Sequence, residues 1–437
     1  MEMNHRPEWR AALRKQFLDL HPWHARGAVA AAAVLAGLSV VGFTWLSEHA
    51  LTLFFRLQSA CWWGPLLWTP LCTVLIVWLT RLYVPGAAGS GIPQAMAALE
   101  TGLDPVKRGL FVSLKLSVAK IFLTAWGLLG GLSMGREGPS VQIAAGVMLL
   151  ARRLAPRDAR PSPHTLLVAG GAAGIAAAFN TPLAGIMFAI EELSRTPEHR
   201  NSALIVTAIV LAGLVSVSFH GNATYFGVIH ASAIGLPLFW SGLMVTLACG
   251  VAGGIFSRLL IVSLSGDGRD LASGLRARHP VLFAGLCGLA VAVLGVVTAG
   301  ATFGSGYAAT RSMVDGAGGM PASYPLFKFI ATWLSAWSGA PAGIFAPSLA
   351  IGAGLGNDVA MLINAAPTPA LIGLGMVGFL AAVTQAPLTS FIIVMEMVDG
   401  HAMVLSLMAC ALVASAISRA ISPPLYATLA GFQLRRI

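Results

Sequence analysis

The residues able to do chemistry in this chain are few, and the most telling of them sit beside glycine and proline. Glu137 stands inside Gly135-Arg136-Glu137-Gly138-Pro139, a glycine-led turn running into an apolar stretch. Proline suits a helix start because no amide partner is needed there, and the free amides of a first helical turn carry partial positive charge. Such an end is an anion site without any full cation. Gly89-Ser90-Gly91-Ile92-Pro93 has the same form, with the Ser90 hydroxyl as one more donor, and Gly343-Ile344-Phe345-Ala346-Pro347 is a third. Three such ends, if they converge, hold a small anion through amides and dipoles weakly enough to let it go, whereas a strong ion pair would not.

Glu137 competes with any anion at those amides. Either it is a bare N-terminal helix acid stabilised by the dipole, or it is a tethered carboxylate that fills the site when ionised and swings out when protonated, gate and proton carrier together. Glu191 and Glu192 are adjacent acids ending another apolar run. One of them can be an ordinary helix-end acid near Arg195, yet acids within or at the edge of a membrane are functional candidates by default. No nucleophile with a partnering base accompanies these acids, and His220 and His401 are isolated, which argues against an intramembrane enzyme. The five cysteines, Cys61, Cys72, Cys249, Cys287 and Cys410, never stand at CxxC spacing. They read as small apolar packing residues, with no metal, cofactor or disulfide framework implied.

The elements that must position these groups are membrane helices. Of 437 residues, 57% are apolar and only 10% charged, with a mean hydropathy of +0.79; a soluble domain carries roughly 25% charged residues. The apolar runs are long and continuous, so the fold class is an all-α polytopic membrane protein rather than a β-barrel, with room for about ten spans of roughly 20 residues. The net charge of +10 is scattered and does not form a nucleic-acid patch. Arg10, Arg14, Lys15 and Arg26 precede the first run and Arg435 and Arg436 close the chain. The positive-inside tendency puts both termini in the cytoplasm and requires an even number of crossings. The first 27 residues do not read as a cleaved signal, so the first run is retained.

Apolar runs lie near 28–46, 60–80, 110–133, 140–151, 165–193, 203–219, 235–265, 281–300, 324–363, 370–397 and 402–421. Gly and Pro break many of them, at 86–93, 135–139, 182, 339–347 and 387. Irregular backbone at membrane depth is tolerated only beside protein or a water-filled cavity, so the breaks mark half-helices along a pathway. The run at 165–193 has arginines at both ends (Arg152, Arg153, Arg157 and Arg160 before, Arg195 and Arg200 after), which predicts a re-entrant pair hinged near Asn180-Thr181-Pro182. The chain also repeats itself. Gly89-Ser90-Gly91 recurs as Gly304-Ser305-Gly306, Gly135 to Ser140 recurs as Gly343 to Ser348, and Ala177 to Glu192 recurs as Ala382 to Met397, in one order and at nearly constant offset. Two homologous halves, 28–222 and 233–425, are expected between an N-terminal segment 1–27 and a short end 426–437; repeats with matching broken helices are the sequence sign of a transporter with its site at the repeat interface.

On GSGIP at 89–93, GREGP at 135–139, GIFAP at 343–347 and Tyr426 in a final Pro-Pro-Leu-Tyr segment, the sequence resembles the ClC family of chloride channels and proton-coupled chloride exchangers. The resemblance implies an inverted repeat of antiparallel halves with broken and re-entrant helices, and a homodimer with one pore per subunit in a bacterial inner membrane. It implies that Ser90 and Tyr426 hold a central chloride with the amides of Ile344 and Phe345. The outer anion site would be formed by backbone at Arg136, Gly138 and Ala346, and Lys120 would add favourable potential. Glu137 would be the external gating glutamate and Glu192 the internal proton-transfer glutamate, which makes the chain an antiporter exchanging chloride for protons; a passive chloride channel of the same family is the alternative. Ser at position 90 resembles chloride-selective members. Gln94 and Met96 stand where some exchangers have acids, which leaves the inner proton route open. With 11 residues after Tyr426, the paired cytoplasmic CBS domains of eukaryotic members are not expected.

Overall fold

The computed structural model describes residues 20–194, 202–221, 224–229, 236–266, 268, 270–316, 319–363 and 368–436. Arg10, Arg14, Lys15, Arg195 and Arg200, and the half boundaries drawn at 222 and 233, lie outside the described residues. The chain is helical. Its first half contains α1 (Leu20–Ala60), α2 (Gly64–Tyr83), α3 (Ile92–Ala98), α4 (Pro105–Phe111), α5 (Leu114–Leu129), α6 (Glu137–Met148), α7 (Ala151–Leu154), α8 (Pro163–Phe179), α9 (Pro182–Phe188, prolonged by a π-helical turn Ala189–Ser194) and α10 (Ser202–His220). The second contains α11 (Leu236–Ser265), α12 (Leu271–Arg278), α13 (Pro280–Val297), α14 (Tyr307–Val314), α15 (Tyr324–Trp337), α16 (Phe345–Leu362), α17 (Thr368–Thr384), α18 (Pro387–Met397), α19 (Val404–Ile421) and α20 (Leu425–Leu434).

Sequence breaks become structural breaks. The run at 324–363 is two helices separated by the turn at 338–344, and the run at 110–133 is interrupted at Val112-Ser113, where Ser113 is extended and its hydroxyl accepts from the Leu116 amide to start α5. The hinge expected near Asn180 is there. Asn180 takes a left-handed conformation (φ +59°), and Gln385, its counterpart in the repeat, does the same (φ +59°). The first helix departs from expectation: α1 reaches Ala60 rather than stopping near 46, because Ser47, Glu48 and His49 bring no glycine or proline to end it and Leu51, Leu53, Phe54 and Phe55 resume the apolar pattern.

Seven stretches among the described residues are long and apolar enough to cross a bilayer: α1, α2, α4 with α5, α10, α11, α13, and α19 with the turn before it. Their outer faces carry exposed leucine, valine and tryptophan, such as Leu67, Leu71 and Trp78 on α2 and Leu282, Leu286 and Val293 on α13. These side chains are stable against lipid and would not be against water. The centre is different. Every residue of α8 from Thr165 to Phe179 is buried, and the helices there approach on small residues: a Cβ on Gly174 would lie 2.6 Å from the Ser140 carbonyl oxygen, and Gly352 and Gly375 touch backbone to backbone. Association inside a membrane rests on such close packing because lipid supplies no hydrophobic drive between helices.

The two halves pack alike and interlock. α6 packs on α8 as α16 packs on α17, and α10 packs on α1 and α8 as α19 packs on α11 and α17; α2 meets α13, and α9 meets α18, across the boundary. At the centre Gly135 and Gly343, equivalent positions of the repeat, form an antiparallel bridge, the Gly135 amide donating to the Gly343 carbonyl at 2.8 Å. Ser133 binds Ser335 and Thr332 nearby, and the Gly89 amide donates to Ala340. Antiparallel pairing of equivalent residues is what a two-fold operation produces, so the halves are inverted with respect to each other.

Candidate functional site

The three glycine-led turns converge, and close approach dictates their composition. Gly91 has φ +104° and a Cβ there would lie 2.8 Å from the Gly138 carbonyl, so only glycine lets the start of α3 touch the first turn of α6. A Cβ on Gly138 would in turn lie 2.5 Å from Ser90 Oγ. Buried polar side chains hold the Ser90 turn from behind. Gln94 Oε1 accepts from the Gly91 amide at 3.0 Å while its Nε2 donates to the Ala88 carbonyl. Lys120, wholly buried, donates to the carbonyls of Ala87 (2.8 Å) and Gly89. Lys120 therefore braces the turn that carries Ser90, and it lines neither of the two cavities that meet these turns. Gln94, flagged by sequence as a missing acid, is a structural cap.

Two separate cavities meet the turns. The first is lined by Ser47, Glu48, Met134, Arg136, Glu137, Tyr225, Ser305 and Tyr307 among others; the second by Ser90, Gln94, Arg276, Ile344, Tyr426 and Arg436 among others. Ser90 Oγ and Tyr426 OH are shielded from solvent, and they lie near one another without forming a hydrogen bond of good geometry. The Phe345 ring stacks on Tyr426 (centroids 6.0 Å apart, planes at 15°) and packs against Phe179 and Phe188, which fixes the tyrosine at the cavity wall.

Glu137 belongs to the first cavity and is wholly buried. Its Oε2 accepts a hydrogen bond from the Ala346 amide at 3.4 Å, at the first turn of α16. The same oxygen lies over Gly135, in the space a Cβ there would fill, 3.1 Å from Pro347 Cδ and 3.2 Å from Ala346 Cβ as measured from that position. The carboxylate thus sits at helix amides from the opposite half, where first-turn N–H groups have no intrahelical partner. Of the residues expected around an outer anion, Gly138 and Ala346 lie at this junction through their backbone. Arg136 adds a side chain: Nη1 binds Glu48 at 2.8 Å and Nη2 donates to the Tyr225 hydroxyl at 3.2 Å.

The adjacent acids Glu191 and Glu192 separate cleanly. Glu191 is spent on structure, accepting from the amides of Leu388 (3.1 Å) and Thr389 (2.7 Å) at the start of α18. Its counterpart in the repeat, Glu396, returns the favour by accepting from Leu183 (3.4 Å) and Ala184 (2.9 Å) at the start of α9. Glu192, in the π-helical turn, is buried and within electrostatic reach of the Tyr426 hydroxyl. Single π turns recur at functional sites because they reorient one side chain without ending the helix. Sequence reading missed Lys328, which stands 208 residues after Lys120 and donates to the carbonyls of Thr302 (3.0 Å) and Gly304 (2.7 Å) as Lys120 does to Ala87 and Gly89. The repeat offset pointed at it. Glu48 and Tyr225 were missed for a better reason, since they come from distant elements with no motif. Among the described residues no cluster of three or more His, Cys, Asp or Glu is placed to bind a metal.

Residues 72–419 match the family model described as voltage gated chloride channel. An H(+)/Cl(-) exchange transporter ClcA from Cronobacter sakazakii is 33% identical over 96% of this chain and 92% of its own length. The ClcA of Citrobacter koseri is 34% identical over 80% of this chain and 75% of its own. In three dimensions the fold is similar to that of a slow cyanobacterial Cl-/H+ antiporter, with a TM-score of 0.80 at 23% identity over 94% of this chain and 98% of that one. It is also similar to a CLC-type fluoride/proton antiporter, with a TM-score of 0.75 at 23% identity over 92% and 97%.

Proposed function

The chain belongs to the voltage-gated chloride channel family, and from that premise we propose that it is a secondary active antiporter exchanging chloride for protons across a membrane. Relatives covering 96% and 80% of the chain carry the name of H(+)/Cl(-) exchange transporter. Ser90 and Tyr426 hold the central chloride by their hydroxyls, with the amides of Ile344 and Phe345. The backbone of Arg136, Gly138 and Ala346 provides the outer anion site, and Lys120 adds potential from behind the Ser90 turn. Glu137 is the gate and proton carrier. The observation that carries this reading is the Glu137 carboxylate accepting from the Ala346 amide: an acid held at anion-binding amides competes with the anion for them. Protonation removes the charge that holds it there, so a proton taken up frees the site and a chloride that binds displaces the acid.

The first cavity is then the external vestibule and the second the internal one. Glu192 passes protons from the cytoplasm toward Glu137, which its burial near Tyr426 supports. Both proposals are tested with purified protein in liposomes, recording chloride efflux and pH together. The wild type is expected to move protons uphill on a chloride gradient, Glu137→Ala to pass chloride without protons, and Glu192→Gln to keep chloride flux while losing proton pumping. Proton movement lost in a variant that keeps its chloride flux corresponds to removal of a transfer group worth about 100-fold or more. Chloride flux with no proton movement in the wild type sinks the antiporter in favour of a passive channel.

We further propose a homodimer in a bacterial inner membrane with both termini cytoplasmic. The lipid-facing surfaces of α10 and α19, with Val206, Val210, Leu214, Leu405, Leu412 and Val413 exposed, support pairing through that side.

A further inference from the structure

The first cavity holds a second carboxylate that no transport step above uses. Glu48 projects from α1 into the cavity that Glu137 also lines, with 57% of its side chain exposed, and binds the guanidinium of Arg136, whose side chain is 11% exposed. Arg136 immediately precedes Glu137 at the start of α6. It is held from two sides, by Glu48 at 2.8 Å and by the Tyr225 hydroxyl at 3.2 Å, and its guanidinium also lies over the Tyr225 ring at 5.8 Å. The other groups facing this cluster are settled among themselves. On α1, His49 bonds the Trp45 carbonyl. On α14, the Tyr307 hydroxyl takes a hydrogen bond from Arg311, which also pairs with Asp315, and Tyr307 meets Tyr225 edge to face. Among the described residues, Glu48 and Glu137 are thus the two carboxylates that face Arg136 in this cavity.

A cation beside an acid favours the ionised acid, and beside an anion site it favours the anion. How much of Arg136's charge reaches the site depends on whether it is neutralised. We infer that Glu48 is a positioning residue that sets the field at the gate: by neutralising Arg136 it makes Glu137 easier to protonate and keeps chloride from binding too tightly at the outer amides. Tyr225 fixes the guanidinium's direction and carries no charge of its own in this scheme. The inference rests on the antiport reading for its transport consequences, but its electrostatic core does not need transport.

The test is Glu48→Gln, with Glu48→Asp and Tyr225→Phe alongside, in two measurements. Chloride binding to purified protein by calorimetry across pH reads the field directly. At acid pH, where Glu137 is protonated and does not compete, Glu48→Gln is expected to tighten chloride binding by about threefold to tenfold, and it is expected to move the pH dependence of binding about one unit toward acid, the scale of one neighbouring charge. Glu48→Asp is expected to keep the wild-type profile and Tyr225→Phe to leave the pH dependence in place. In liposomes at acid external pH, Glu48→Gln is expected to lower the external chloride concentration for half-maximal exchange, and activation by external protons is expected to shift toward acid. Chloride affinity and pH dependence that stay within twofold and 0.2 units of the wild type, with any loss confined to rate, overturn the inference. Absence of proton movement in the wild type overturns the antiport reading instead and leaves the calorimetric result to decide the role of Glu48.

Discussion

The turns that open α6 and α16 are equivalent by the repeat and paired by a bridge between Gly135 and Gly343, yet they carry opposite side chains. Both begin with glycine and reach proline four residues later; between them one places Arg136-Glu137-Gly138 and the other Ile344-Phe345-Ala346. The apolar turn supplies amides and a ring, with Ala346 donating to Glu137 and Phe345 stacking on Tyr426. The charged turn supplies a buried acid at those amides. Symmetry brings two helix ends together, and in the proposed mechanism the broken symmetry makes their junction a gate, because an acid in both turns would repel itself and an acid in neither would leave nothing to carry a proton.

The buried lysines offer the largest test of how far this division extends. Lys120 and Lys328 each bind two carbonyls behind equivalent turns, but the Lys120 turn presents Ser90 to the second cavity and the Lys328 turn presents Ser305 to the first. Replacement of either by Met leaves two buried acceptors unpaired, a loss of about 2 kcal/mol or more after the relief of burying a charge. Both variants are expected to melt at lower temperature in detergent by similar amounts. Only Lys120→Met is expected to weaken chloride binding as well, by about tenfold, the factor that 1.4 kcal/mol of lost potential gives. Equal chloride affinities in the two variants would mean that Lys120 is frame alone.

Much of this comparison was written in the chain. The repeat, the broken runs and the three glycine-led turns are local patterns, and a turn whose glycines, proline and acid lie within five residues can be read without a structure. Glu137 and Ser90 stood out for that reason; the hinge at Asn180 came from the arginines at both ends of its run, and Lys120 came only from the family resemblance. What could not be read was partnership between distant elements. Nothing near Glu48 in sequence says that it meets Arg136, and nothing in Glu191-Glu192 says which acid is spent on the α18 amides, since the two differ only by the rotation of one helical residue. The family resemblance assigned Glu192 the proton role; the geometry adds that Glu191 is already engaged.

The paired glycines come next in expected effect. A methyl on Gly135 would collide with the Glu137 carboxylate, the movable end of a flexible side chain, whereas a methyl on Gly343 would lie 2.6 Å from the Gly135 carbonyl oxygen and 2.9 Å from Pro139 Cδ, neither of which can swing aside. Gly343→Ala should therefore cost about 1 to 3 kcal/mol of stability, as overpacking does, read as a lower melting temperature. Gly135→Ala should leave melting nearly unchanged and displace the acid, read as protons moved per chloride falling threefold or more in liposomes. A destabilised Gly135→Ala protein with normal coupling would break the distinction between a frame glycine and a gate glycine.

The smallest effect should come from the most symmetric pair. Glu191 and Glu396 cap each other's partner helices with two amides apiece, and an acid at a helix N-terminus contributes about 1 kcal/mol. Glu191→Gln and Glu396→Gln should each lower the melting temperature slightly and equally, because the amide side chain keeps one acceptor but not the charge. Their consequences for transport should differ. Glu192 shares the π-helical turn with Glu191, so freeing Glu191 from α18 lets that turn relax and should slow proton delivery about twofold to threefold, while the repeat position matching Glu192 is Met397 and the Glu396 variant should exchange at the wild-type ratio. The contrast depends on geometry alone, since the two acids make the same bonds; equal transport in both variants would show that the π turn holds Glu192 without help from the cap, and unequal melting would show that the two-fold likeness of the caps stops at their hydrogen bonds.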